Sequence, residues 1–123
     1  MGGLTLGVLR QSSFGIEPAL DGARLVLQFR GTGDLEAVEP LAEYLDRAFD
    51  EVQRLSSAEV RFDFRELEFM NSSCFKAFVT FIERTRQAGG VPIVFVTDPA
   101  HHWQRRSLEA LRRLAMGRVT IET

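Results

Sequence analysis

The chain holds one cysteine, one lysine and four prolines in 123 residues, and each scarcity closes off a class of explanation. A single cysteine cannot form an internal disulfide, so an apolar core has to hold the fold, and a reducing cytoplasmic setting is the expectation. Net charge is only −2, so no basic surplus argues for direct nucleic-acid binding. The apolar run Val91–Thr97 is far shorter than the roughly 20 residues a membrane-spanning helix needs. The opening Met1–Leu6 has no basic flank, so it reads as neither a signal peptide nor an anchor, and no membrane insertion is expected. Metal ligands are scarce too. His101 and His102 are neighbours, and adjacent helical positions point about 100° apart, too divergent to share an ion. Gly31-Thr32-Gly33 lacks the third glycine and the lysine of phosphate-binding loops. No metal and no cofactor are expected.

What is present is ordinary globular composition, 45% apolar and 26% charged, which over residues 1–123 suits one domain with a real core. Periodicity supplies the order of elements. Leu4, Leu6 and Val8 alternate as a first extended segment, Phe14 and Ile16 continue it weakly, and Pro18–Gly22 reads as a turn. Arg24–Arg30 reads as a strand stopped by Gly31-Thr32-Gly33. Leu35, Val38, Leu41, Ala42, Leu45, Phe49 and Val52 follow helical spacing on one face, which predicts a helix over Glu39–Leu55, with Pro40 tolerable near its start. Alternation of Val60, Phe62 and Phe64 gives a strand over Ala58–Phe64. A second helix runs from Asn71 to Ala88, with Phe75, Phe78, Val79 and Ile82 inward, and Gly89-Gly90 ends it. Val91–Thr97 is the most apolar strand. Asp98-Pro99 opens a third helix that reaches Met116, Gly117 stops it, and Arg118–Ile121 adds an edge strand. This alternation predicts an α/β fold with a mixed, mainly parallel sheet of four to five strands and three to four helices packed on it.

One junction carries candidate chemistry. In Asp63-Phe-Arg-Glu-Leu-Glu-Phe-Met-Asn-Ser-Ser-Cys-Phe75, a strand passes into a helix with Asn71 as a good N-cap and Ser72 and Ser73 in the first turn. Unpaired amides and the helix dipole there suit an added negative charge, so the pair is chemically fit for reversible phosphorylation. The plainer reading is that these residues only cap the helix. Cys74, Ala77 and Phe81 form a second apolar stripe beside the inward face, either covered by a neighbouring helix or left as a docking patch next to Ser72. A thiol in a first helical turn can also be reactive, yet no histidine lies near Cys74 in sequence, and a lone cysteine is commonly a small buried hydrophobe. Arg105, Arg106, Arg112 and Arg113 read as a solvated helix face.

The run Phe69-Met-Asn71-Ser72-Ser73-Cys74-Phe75 resembles the strand, acidic residue and Ser-Ser-Gly-Leu helix start of STAS domains of the anti-sigma-factor antagonist type. Gly33-Asp34-Leu35-Glu36 resembles that family's earlier Gly-Glu-Leu-Asp loop, and Pro99 followed by Leu108, Leu111 and Leu114 resembles its last helix. The resemblance covers roughly Phe14 to Ile121. It implies a non-enzymatic regulator without cofactor: an anti-sigma-factor antagonist of bacterial partner switching, with Ser72 as phosphoacceptor and Ser73 as the fallback. It implies as partners an anti-sigma factor with serine kinase activity and a metal-dependent serine phosphatase, with Asp34, Glu36, Asn71, Cys74 and Phe81 as partner-binding residues. The alternative is an unphosphorylated STAS scaffold or accessory subunit of a lipid or anion transporter. Asn71 stands where the family has aspartate, Cys74 where it has glycine and Phe75 where it has leucine, which changes the charge and bulk beside the serines.

Overall fold

The computed structural model describes residues 3–116 and 118–123. Six strands lie in chain order across one sheet: β1 (Leu9–Arg10), β2 (Phe14–Asp21), β3 (Arg24–Gly33), β4 (Glu59–Met70), β5 (Ile93–Val96) and β6 (Val119–Glu122). Pairing is antiparallel from β1 to β3 and parallel from β3 to β6. The three helices are α1 (Val38–Leu55), α2 (Phe75–Gln87) and α3 (His102–Leu114). Parallel strands joined in sequential order by right-handed crossovers put every helix on the same face of the sheet. The other face is left to polar side chains such as Gln28, Arg61 and Asp63, each inside a strand.

The strands exceed expectation in number, and β3 and β4 in reach, while β5 is shorter than the expected Val91–Thr97. Leu4–Val8 is not a strand. It lies over α1, where Glu51 accepts from Thr5 N at 2.6 Å and from Leu6 N at 3.2 Å, and the Tyr44 hydroxyl donates to Gly7 O at 2.7 Å. Pro18 does not turn the chain either. It pairs with Leu27 inside β2, and its missing N–H costs nothing there because β1 pairs only with Gly15 and Ile16. Gly31-Thr32-Gly33 continues β3 instead of stopping it, opposite Leu67, Phe69 and Met70. Gly31 adopts φ 85°, and a Cβ there would run into the Ser13 carbonyl, so this position needs glycine. The 12-residue β4 runs past Phe64 through two register shifts against β3. Each shift adds a residue, so Phe64, Leu67 and Met70 all point inward although they are three apart.

The first helix begins at Val38, one residue before the expected Glu39, whereas the second and third begin later than the spacing suggested. A 3-10 turn over Leu35–Ala37 precedes α1, and another over Ser72–Cys74 precedes α2. Asp98 forms its own turn, accepting from Ala100 N at 2.9 Å, and α3 begins at His102. Gly117, the expected helix stop, lies outside the described residues.

The core is aromatic. Phe62 meets Phe29, Phe64, Phe78, Phe81 and Phe95 at ring separations of 5.4 to 6.2 Å, tying three strands to α2. Arg84 of α2 lies over the Phe49 ring at 4.2 Å and donates to Asp46 at 2.9 Å, which fixes α2 against α1.

Candidate functional site

Neighbouring parallel strands that end together present two turns side by side. Chain β3 leaves the sheet at Gly33 and β4 at Met70, and the ladder closes with Asn71 N donating to Gly33 O at 2.6 Å. Each then meets a capping residue. The Asp34 carboxylate accepts from Glu36 N at 3.1 Å, and the Asn71 side chain accepts from Ser73 N at 2.9 Å. Each cap opens one 3-10 turn and then a long helix. The expected cap at Asn71 is therefore present, on a tighter turn than expected.

Ser72 and Ser73 are exposed at the second turn, and Glu36 is exposed on the first. Asp34 and Asn71 are half-buried. Cys74 and Phe81 are not at the surface. Cys74 is fully buried, its Sγ 3.9 Å from Gly33 O and 3.8 Å from Asp34 O, and Phe81 packs on Phe62. Of the stripe expected beside the inward face, Cys74 and Phe81 are core and Ala77 is half-buried, because α2 lies between α1 and α3. Neither Cys74 nor Phe81 can greet a partner directly in this conformation. Burial pushes the Cys74 thiol up, and the Asp34 carboxylate adds to the rise. Both effects suppress thiolate, so a nucleophilic role has no support here.

The amides of the turn are less available than the sequence suggested. Ser73 N is held by Asn71, Cys74 N donates to Asn71 O at 2.9 Å, and Phe75 N donates to Ser72 O. A phosphate on Ser72 would thus find most of the turn's donors engaged and would sit mainly in solvent, next to a turn already carrying Asp34 and Glu36.

Several side chains that shape the site were not singled out by sequence. Phe69 is 48% exposed just before Asn71, turned outward by the second register shift, and its ring lies 6.2 Å from that of Trp103. Leu35, by contrast, was expected on the apolar face of the first helix and is instead 67% exposed, because it lies in the 3-10 turn before α1. Buried Gln104 donates to Phe64 O at 2.6 Å and Leu67 O at 3.0 Å while accepting from Asp98 N at 2.9 Å, so it pins α3 to the shifted part of β4 that leads into Asn71. Its position in the apolar series of α3, four before Leu108, was the available signal.

Among the described residues, no group of three or more His, Cys, Asp or Glu side chains could hold a metal ion, and no helix is long and apolar enough to cross a membrane.

Comparison with known proteins agrees with this architecture. No curated protein matches the chain in sequence. An anti-sigma factor antagonist from Mycobacterium paratuberculosis is similar in structure, with a TM-score of 0.69, 14% identity, and 89% of this chain and 86% of that chain covered. The anti-sigma factor antagonist SpoIIAA in its unphosphorylated form is similar with a TM-score of 0.62, 17% identity and 88% of each chain covered. SpoIIAA, a Bacillus cell fate determinant, is also similar in its phosphorylated form, with a TM-score of 0.58, 15% identity, and 88% of this chain and 91% of that chain covered. At these identities the likeness is one of fold. Residues 17–110 match the sequence pattern of the STAS domain, spanning β2 through most of α3. The chain belongs to the STAS domain family.

Proposed function

We propose that this chain is a phosphorylation-controlled anti-sigma-factor antagonist of bacterial partner switching, a cytoplasmic non-enzymatic regulator whose phosphoacceptor is Ser72. The observation that carries the reading is the exposed Ser72 hydroxyl at the start of a capped turn, at the carboxyl end of β4 in a STAS fold. In this reading the unmodified domain binds an anti-sigma factor with serine kinase activity through the twin turns. Asp34, Glu36 and Asn71 make direct contact, while Cys74 and Phe81 support the surface from below. Phosphorylation adds about −1.5 to −2 charges beside Asp34 and Glu36. With few free amides in the turn, that charge faces the partner and breaks the complex. A metal-dependent serine phosphatase resets the site, and Ser73 is the fallback acceptor.

Asn71 and Cys74, which differ from the family pattern, favour a second reading, an unphosphorylated scaffold or accessory subunit of a lipid or anion transporter. Recovery of the protein with its partners from its host, with intact mass and phosphosite mapping, separates the two. The switch predicts a kinase-like partner, phosphate on Ser72, and at least a tenfold affinity loss in Ser72→Asp, about 1.4 kcal/mol. Ser72→Ala should keep binding and lose modification. Equal affinity of the wild-type, alanine and aspartate proteins, with no phosphate found, defeats the switch.

A further inference from the structure

Charge is segregated along the chain. Residues 101–118 carry five arginines and one glutamate, while the rest carries ten basic and sixteen acidic side chains. Helix geometry sorts these residues. Gln104, Leu108 and Leu111 face the core, which points Arg106 and Arg113 outward and places Trp103, Ala110 and Leu114 along one flank. Among the described residues the one salt bridge within α3 is Arg112 to Glu109, and no carboxylate pairs with Arg105, Arg106 or Arg113. Arginines in the last turn of a helix complement its dipole, but Arg105 and Arg106 lie near the start of α3, where a cation is disfavoured. Local helix energetics therefore does not account for them.

The same helix borders three of the six exposed large apolar side chains among the described residues. Phe69 is 48% exposed against Trp103, Leu114 is 60% exposed in the last turn, and Met116 is 82% exposed just beyond it. Exposed apolar side chains thus lie at both ends of α3, beside the unpaired Arg106 and Arg113.

We propose that this face of α3 is a reversible docking surface for an anionic phospholipid bilayer. The arginines lie on a convex helix, which fits a plane better than it fits a peptide. Its arginines meet acidic headgroups while Leu114, Met116 and Phe69 enter the interfacial layer, without insertion across it. Nucleic acid would satisfy the arginines but give Leu114 and Met116 no role. The four residues changed in the test below, Arg106, Arg113, Leu114 and Met116, lie on or just beyond α3 and not on the Ser72 turn.

Flotation of the full chain with phosphatidylcholine vesicles, with and without phosphatidylglycerol, tests this. The expected result is at least tenfold stronger partition onto the phosphatidylglycerol vesicles at low salt, weakening as salt rises. Arg106→Glu with Arg113→Glu should abolish it, and Leu114→Ser with Met116→Ser should lower it several-fold, both with unchanged unfolding midpoints. Equal partition onto neutral vesicles, or none onto either, overturns the proposal. Indifference to the Leu114 and Met116 change, together with equally strong binding to a single-stranded RNA oligonucleotide, also overturns it in favour of plain polyanion contact.

Discussion

The most demanding test of the structural reasoning is Glu51, a carboxylate only 4% exposed on α1 that holds down the segment before β1. It accepts from Thr5 N and Thr5 Oγ1 at 2.6 Å, from Leu6 N at 3.2 Å, and from Arg54 Nη2 at 3.0 Å, while Arg54 also donates to Gly3 O. The Arg54 bonds, opposed by burial and aided by the Thr5 and Leu6 donors, pull the Glu51 carboxyl from its ordinary 4.5 down to about 2. At roughly 1.4 kcal/mol per tenfold change in proton affinity, the ionised form is favoured by about 3 kcal/mol in the folded state. Arg54 is 40% exposed, so water screens its share, and about 1–2 kcal/mol is the realistic figure. A lowered pKa means the stabilisation is complete above pH 4.5 and fades as pH falls from there toward 2. Glu51→Gln should then shift the urea midpoint at neutral pH by roughly 1 M, taking a denaturant slope of about 1–2 kcal/mol/M. It should also remove that share of the acid-induced loss. Asp63 contributes its own loss in acid, because its Arg65 hydrogen bonds outweigh its burial, so the informative quantity is the difference between wild type and variant. Amide exchange at Thr5 and Leu6 should accelerate in Glu51→Ala. Identical stability across pH in wild type and Glu51→Gln, with unchanged exchange at both amides, would refute the clamp.

Two further outcomes follow from buried groups near the site. Gln104→Leu should lower stability by about 2–4 kcal/mol, measured by urea denaturation, because it strips partners from Phe64 O, Leu67 O and Asp98 N at once. Cys74 should react with iodoacetamide at neutral pH far more slowly than a free thiol, by mass spectrometry, and the rate should rise on unfolding; a fast native reaction would contradict its burial.

The sequence was most readable where one period ran unbroken. Leu41, Leu45 and Val52 marked α1, and Val60, Phe62 and Phe64 marked the first half of β4, because each set faces one layer throughout. Legibility failed where the backbone changes period. Two register shifts in β4 turn a spacing of two into a spacing of three, so Leu67 and Met70 carried no strand signal although both are core. Gly31 and Pro18, punctuation by composition, are absorbed into strands by the short reach of β1 and the close approach of Ser13. Glu51 shares helical spacing with Tyr44, Ala48 and Val52, and a carboxylate in that inward series was a signal, but apart from Arg54 its partners, Thr5 and Leu6, lie 45 or more residues away. At the site, the Asn71 cap and the exposed serines were legible because capping is local, whereas Cys74 is buried against Gly33 and Asp34 and Phe81 against Phe62, partners distant in sequence that local spacing cannot place.

Two of the three departures from the family pattern, Asn71 and Cys74, bear on one contact. A side chain at position 74 occupies the seam between the turns, where the Cys74 sulfur lies against the Gly33 and Asp34 carbonyls. Glycine there would leave that seam unfilled and the turn more free. Cysteine therefore couples the Ser72 turn to the Asp34 turn by packing. Asn71 keeps the cap through its side-chain oxygen but contributes no charge. The negative field beside Ser72 then comes from Asp34 and Glu36 across the seam rather than from its own cap. In the proposed switch, the first turn would supply the resting electrostatics, and the second would supply the hydroxyl whose modification changes them. The sheet provides the registry for both, since β3 and β4 end together and the Asn71-to-Gly33 bond closes the ladder at that point.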